Sequence, residues 1–347
     1  LNAQAGRVAH GASAPGKLMV SGEYVVLDGA VALVAAADAR AFVRWRDTKE
    51  SSAIRDPRAA DSGASGIAVL PPEVVATRAL AEGQLGLAST PHDDALRLDV
   101  SDLRRDGRKL GLGSSAAAAA ATAGAVFARA GRDLDDGAVR TAMLAVAFAG
   151  HRSVAPEGSG ADVAASVLGG LVRFRRDAAS GEILEATPVT LPRAVQVRVV
   201  WTGREARTSA LVRQVKALAE TSPVAYARAM GTLAEAAARL ADACAADDAA
   251  ALVEAVAAHH AAMAALGEAA DAPIVEAGLS SAATLAHSFG GAAKPSGAGG
   301  GDVALAFFAD FAAADAFTRA CPAAGLDPVD VALGAPGVRA EYATDRL

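Results

Sequence analysis

The sequence predicts an α+β chain of two domains. Its 347 residues suffice for two ordinary domains. Alternating, strand-like stretches occur both near the start and near the end, and a long Ala/Leu-rich helical tract from about Ser209 to Leu266 lies between them. A break near residue 187 divides the chain into residues 1–187 and 188–347, each mixing strands and helices.

The elements follow in order. Residues 18 to 45 alternate apolar and small positions around the turn signal Asp28-Gly29, which fits strands and a hairpin. Arg46 to Gly66 is charged, then Ser/Gly/Ala-rich, and reads as a loop. Leu70-Pro71-Pro72 opens a helix to about Leu85, and residues 95 to 103 alternate as a strand before the turn Arg105-Asp106-Gly107. Ser114 to Arg129 reads as a helix with two serines at its start and an arginine at its end. A further helix covers Asp135 to Ala149, Gly169-Gly170 turns into a strand at Leu171 to Phe174, and Val195 to Trp201 is another strand. Beyond the helical tract come a strand at 303 to 308, a helix at 311 to 320 and a terminal strand at 331 to 341.

Composition narrows the function. With nine Phe, three Tyr and two Trp against a 52% hydrophobic fraction, the core must be built from Leu, Val and small side chains. A net charge of −6 without a dense basic run argues against nucleic acid or an anionic membrane as partner. Cys244 and Cys321 lie far apart with no CxxC or His pair, so neither a disulfide framework nor a zinc site is indicated, and a reducing cytoplasm is the expectation. The chain opens Leu1-Asn2 without Met or a signal-peptide pattern, so its leading residues are expected to be lost or exchanged. Monomer and homodimer both stay open.

Chemistry concentrates in glycine-rich segments, where a backbone without Cβ atoms can approach a phosphate and aim N–H groups at it. Gly11 to Lys17 fits the spacing of a Walker A loop, but Leu18 follows where Ser or Thr must hold Mg²⁺. Gly111-Leu-Gly113-Ser-Ser-Ala116 fits the loose dinucleotide pattern, and an NAD-binding oxidoreductase is the alternative it offers. Arg105 to Lys109 before it nevertheless reads as a turn and not as a buried strand.

Taken together, three segments carry a resemblance. Ala14-Pro-Gly-Lys17 through Ser21-Gly22-Glu23-Tyr24, then Gly111 to Ala117, then Lys294-Pro-Ser-Gly-Ala-Gly-Gly-Gly301-Asp302 resemble, in order and spacing, the signature motifs of the GHMP kinases. Gly22-Glu23-Tyr24 and the third segment with its Asp302 are most similar to the phosphomevalonate kinase branch. Trp201 to Ser209 and Gly158 to Gly170 add two further matches of that kind. The resemblance implies an N-terminal domain like domain 2 of ribosomal protein S5, a ferredoxin-like C-terminal domain and an active site between them. It implies ATP and Mg²⁺ as cofactors, with phosphomevalonate as the acceptor and mevalonate or another small alcohol as the alternative. A catalytically silent binding protein of the same fold is a further reading.

Residue roles follow from the same resemblance. Lys109, Gly111, Leu112, Gly113, Ser114, Ser115 and Ala116 are expected at ATP, where a helix N-terminus offers free N–H groups, with Ser115 as the Mg²⁺ ligand and Ser114 as its substitute. The plainer reading of both serines is a helix cap. Asp162 is expected as catalytic base beside Lys17, or else as a helix N-cap. Ser21, Gly22, Glu23, Tyr24, Lys294, Ser296, Gly297, Ala298 and Gly299 are expected on the acceptor side. Asp302 pairs with a lysine or caps its turn, and Arg152, Arg204 and Arg207 are further anion candidates. His151 stands where mevalonate kinases carry a Mg²⁺-binding glutamate. Either Glu157 substitutes for that carboxylate, or serine, phosphates and water hold the metal alone.

Overall fold

The structure is a computed structural model that describes residues 9–46, 70–88, 96–206 and 208–342. The loop expected at Arg46 to Gly66 and the arginine at 207 therefore lie, beyond Arg46 itself, outside the described residues. The first half runs β1 (Ala9–Ser21), β2 (Ala32–Trp45), α1 (Pro72–Gln84), β3 (Leu96–Asp99), β4 (Arg104–Arg105), β5 (Arg108–Lys109), α2 (Ser114–Arg129), α3 (Gly137–Val154), α4 (Ala161–Leu168), β6 (Leu171–Arg176) and β7 (Ile183–Val189). The second runs β8 (Gln196–Trp201), α5 (Thr208–Thr221), α6 (Pro223–Ala245), α7 (Ala249–Ala269), α8 (Ala277–Ser288), β9 (Ala292–Pro295), β10 (Val303–Phe308), α9 (Phe311–Ala320), β11 (Asp327–Val329) and β12 (Arg339–Tyr342).

All strand pairings among the described residues are antiparallel. The first sheet has the order β12-β1-β2-β6-β7 with β3 also on β2, and the second has the order β11-β8-β10-β9. Residue 187 lies inside β7, and the chain returns to the first sheet through β12. No parallel βαβ unit is present among the described residues, so Gly111 to Ala116 does not sit in a dinucleotide-binding fold. Gly11 to Lys17 is likewise strand, inside β1.

Both sheets are covered on both faces. In β10 the side chains of Ala304, Ala306 and Phe308 pack under α8 and α9, while Val303, Leu305 and Phe307 face α7. That burial explains a strand that is apolar at all six positions. α7 is long and apolar enough to span a membrane by composition, but its Leu252, Val256, Met263 and Leu266 are fully buried against α6, β9 and the neighbouring elements. In β1 the pairing with β2 slips between Pro15 and Gly16. Ala12 and Ala14 before the slip face the α2 side, whereas Leu18 and Val20 after it face the opposite side. A bulge changes which face a given parity meets, and here it falls immediately before Lys17.

Several boundaries differ from expectation for local reasons. Strand β3 stops at Asp99 because its carboxylate accepts both the N–H and the hydroxyl of Ser101, starting a tight turn. The tract from Ser209 to Leu266 is three helices: Pro223 cannot continue α5, and Asp248 caps α7 by accepting the Ala251 N–H. α3 begins at the Asp136 cap and runs to Val154, a turn past Ala149. The terminal strand shrinks to Arg339–Tyr342, since residues 331 to 338 contain Gly334, Pro336 and Gly337 and make only isolated bridges.

Candidate active site

The slip in β1 delivers Lys17 to a cleft, and its backbone N–H donates to the Leu112 carbonyl at 2.7 Å. The second glycine-rich segment enters from the β4–β5 hairpin, whose Asp106 and Gly107 both have positive φ, as a two-residue hairpin turn requires. Gly111 (φ 77°) and Gly113 (φ 74°) follow. A Cβ on Gly111 would lie 2.5 Å from Asp302, and one on Gly113 would lie 2.7 Å from the Lys17 Cγ, so the segment carries glycine where it wraps those two side chains.

α2 starts at Ser114 with Gly113 as its N-cap, and no side chain caps it. The serines therefore do not serve as caps of this helix. Ser115 Oγ lies 3.2 Å from His151 Nε2 instead. α4 likewise begins after Gly160, with Asp162 in its first turn accepting the Val163 N–H at 2.9 Å. Asp162 is thus not the N-cap, and its carboxylate sits at the positive end of the helix.

Two cavities meet here. One of about 600 Å³ is lined by Lys17, Arg104, Lys109, Gly111 to Ser115, Asp162, Glu205, Thr208 and Ser296 to Ala298, with Asp302. A smaller one of about 170 Å³ is lined by Glu23, Tyr24, Leu27, Glu157 to Ser159, Val212 and their neighbours. Lys17, Asp162, Thr208, Gly297 and Ala298 border both.

The third segment is tied to the first across the sheets. Ser296 Oγ accepts the Met19 N–H at 2.8 Å, Glu23 Oε1 accepts the Gly297 N–H at 3.3 Å, and the Tyr24 hydroxyl donates to the Ala298 carbonyl at 2.5 Å. Tyr24 is held at φ 62°, a strained conformation for an L residue. Burial, helped by Glu23, raises its hydroxyl above the ordinary tyrosine range. Asp302 accepts the Ala206 N–H at 3.0 Å and its own N–H donates to the Arg204 carbonyl, so it ties the third segment to residues 204–206 and does not cap its own turn. Burial raises its carboxyl, with Glu205 adding to the effect and the Ala206 N–H, Lys17 and Lys109 opposing it.

Some expected positions lie elsewhere. Lys294 was expected on the acceptor side, but its side chain is fully enclosed and borders neither cavity; the ammonium points at Glu23. Ser21, Gly22, Gly299 and Ala116 also stand behind the walls of these two cavities. Arg152 donates to the Ser180 carbonyl at 2.9 Å, and the exposed Arg204 lies 3.9 Å from Glu276; neither borders these two cavities. Glu157 pairs with Lys216, which lowers its carboxyl. Arg104, Glu205 and Thr208 join the larger cavity without having been singled out in the sequence, although the last two fall in the segment Trp201 to Ser209. His259 has no metal or relay spacing around it in the sequence, yet it sits 3.3 Å from both the Gly22 nitrogen and Glu23 Oε2. Burial, with Lys294 and His260, holds it well below the ordinary histidine range.

Comparison with known proteins agrees with this architecture. The family described as GHMP kinases N terminal domain matches residues 100–170, from the residue after β3 to the two glycines that follow α4. A phosphomevalonate kinase of Streptomyces sp. (strain CL190) is 30% identical over 84% of this chain and 88% of its own length. A mevalonate kinase of Aeropyrum pernix is 32% identical over 60% of this chain and 62% of its own. The structure of Streptococcus pneumoniae phosphomevalonate kinase in complex with phosphomevalonate and AMPPNP superposes with a TM-score of 0.73, covering 93% of this chain and 99% of that one at 20% identity. The protein is an ATP-dependent small-molecule phosphotransferase of α+β, two-domain architecture. It belongs to the GHMP kinase superfamily.

Proposed function

We propose that the protein transfers the γ-phosphoryl group of ATP to (R)-5-phosphomevalonate, giving ADP and 5-diphosphomevalonate. The observation that carries this reading is the wall shared by the two cavities, where Lys17 and Asp162 both face a nucleotide-sized space and a smaller acceptor-sized one. The similarity to the Streptomyces phosphomevalonate kinase over 84% of the chain supports the acceptor. The mevalonate kinase similarity covers 60% and motivates the second reading, mevalonate itself.

In this reading the triphosphate lies at the N-terminus of α2, against the amides from Gly113 to Ala116, with Lys109 at its rim. A phosphate oxygen of the acceptor attacks the γ-phosphorus while the bond to the bridging oxygen of the β-phosphate breaks, and ADP leaves with that oxygen. Lys17 balances the charge on the transferring group. An acceptor phosphate is largely deprotonated near neutral pH, so Asp162 chiefly orients it and takes up any remaining proton. Gly297 and Ala298 enclose the reacting groups from the third segment. Glu23 and Tyr24 line the acceptor side, Tyr24 fixed by its bond to the Ala298 carbonyl, whereas Ser296, expected there, lines only the larger cavity and is fixed by the Met19 N–H.

The residues also fit Mg²⁺. No group of three or more His, Cys, Asp or Glu side chains able to hold a metal occurs among the described residues. Ser115 faces the cavity with its hydroxyl against His151, which accepts the hydroxyl proton when Nε2 is unprotonated and leaves oxygen lone pairs for a cation. One protein ligand suits an ion that keeps water and phosphate oxygens around it. When bound, Mg²⁺ neutralises phosphate charge. The decisive experiment measures ADP release with phosphomevalonate and mevalonate in parallel. Turnover of phosphomevalonate is expected, and turnover of mevalonate alone would refute the acceptor.

A further inference from the structure

Glu23, Lys294 and His259 form a cluster whose side chains are 1%, 0% and 0% exposed. The ammonium of Lys294 has three hydrogens and three oxygens to receive them: Glu23 Oε1, the Pro295 carbonyl and the Met19 carbonyl, the last at 3.3 Å. Met19 is thereby gripped at both ends, its carbonyl by Lys294 and its N–H by Ser296 Oγ. Glu23 Oε1 takes the Gly297 N–H as well, and on the far side the Gly22 N–H meets the His259 ring at 3.3 Å. Ser296, Gly297 and Ala298 of the third segment are thus bonded in turn to Met19, Glu23 and Tyr24 of the first.

A buried ion pair contributes little more to stability than apolar side chains of the same volume, because desolvation offsets the attraction. What an apolar pair cannot do is fix carbonyls and amides at set positions. Gly297 is where this matters: its N–H is held by Glu23, it borders both cavities, and a Cβ built on it would lie 3.7 Å from the Lys17 ammonium. The distance between the third segment and Lys17 is therefore set from behind.

We propose that Glu23, Lys294 and His259 are positioning residues that hold the third segment against Lys17 for phosphoryl transfer. The proposal rests on the reading of the cleft as the transfer site and not on the identity of the acceptor. Its test is the double variant Glu23→Gln with Lys294→Met, which removes both buried charges together so that neither is left unpaired. The expected result is a folded protein whose kcat falls on the order of tenfold to a hundredfold. ATP KM should stay within about twofold, and amide exchange should quicken at 296–301 but not at 111–117. Parent-like kcat with parent-like exchange in the folded variant would overturn it, as would an equal rise of exchange in both segments. Should the parent turn over a different acceptor, that acceptor is used, and the outcome corrects the substrate while the kcat split and exchange still judge the latch. Should the double variant not fold, His259→Leu and His259→Gln decide. A glutamine carbonyl can accept the Gly22 N–H, so Gln is expected to restore most of the turnover lost with Leu, and equal kcat in the two would overturn the role.

Discussion

The backbone N–H of Lys17 donates to the Leu112 carbonyl at 2.7 Å, so the first and second glycine-rich segments form one unit. Gly113 completes the contact by lying against the aliphatic stem of Lys17 in a positive-φ conformation. Gly113→Ala is expected to lose about 1–3 kcal/mol from backbone strain alone. It should also displace Lys17, raising ATP KM and lowering kcat. Thermal denaturation and steady-state kinetics check this, and parent-like values in both would mean that the segment shifts freely.

Lys17→Met keeps the stem that packs on Gly113 and removes the charge. The variant is expected to fold normally, with kcat reduced by about 10²–10³, the effect of deleting one preorganised electrostatic partner. Lys17→Arg should not restore the full rate, because a planar guanidinium presents its charge in a fixed fork and not as the compact ammonium that Lys17 places at the wall of both cavities. Circular dichroism and initial rates measure both, and near-parent turnover in Lys17→Met would remove the residue from the mechanism.

Asp162→Asn separates the two acceptor readings. General-base catalysis is worth about 10²–10⁴ in rate. A phosphate acceptor needs little deprotonation, so a loss near the lower end is expected with phosphomevalonate. A loss near the upper end would instead favour an alcohol nucleophile. The carboxylate also lies in the first turn of α4, so the melting temperature is followed in parallel to keep a helix effect apart from a rate effect.

Asp302 yields a stability prediction with a definite sign. Its folded-state pKa is raised above the ordinary 3.8, chiefly by burial. The folded protein then binds the proton more tightly than the unfolded chain, so this group's contribution is fully present below 3.8 and is lost as pH rises through the folded value. Asp302→Asn keeps an oxygen for the Ala206 N–H without the charge. Its melting temperature should exceed the parent's at neutral pH and converge with it below the ordinary aspartate value. A variant less stable than the parent at neutral pH would show that the carboxylate's attraction to Lys17 and Lys109 outweighs its burial.

How much of this was legible beforehand depended on whether the cause was local. α2 begins and ends at Ser114 and Arg129 as its composition suggests, and the Pro71-Pro72 start of α1 holds because proline favours a first turn. The glycine-rich segments announce themselves through residue type. The slip in β1 at Pro15 and Gly16 does not, because it depends on pairing with β2, and with it goes the facing of Leu18 and Val20. Lys294 and Glu23 sit in recognisable motifs, yet a motif does not reveal whether a side chain faces a cavity or lies behind it. His259 is one of four polar residues in an Ala/Leu-rich helix; its role depends on Gly22 and Glu23, far away in sequence.

His259 also gives the cluster a pH signature. Burial, Lys294 and His260 depress its folded pKa, and burial with Lys294 depresses that of His260. Both groups take up protons more readily in the unfolded chain, so the stability they contribute is present above the ordinary value of 6.5 and is lost as pH falls below it towards the folded values. Each proton taken up only on unfolding steepens the loss by up to about 1.4 kcal/mol per pH unit. The parent's unfolding free energy should therefore decline from pH 6.5 downward, and His259→Gln should flatten that decline by the share of one proton, whatever its absolute stability. Chemical denaturation over a pH series reads the slope directly. An unchanged slope in His259→Gln would mean that the imidazole is already protonated in the folded protein, paired with Glu23, and that the Gly22 N–H has some other acceptor.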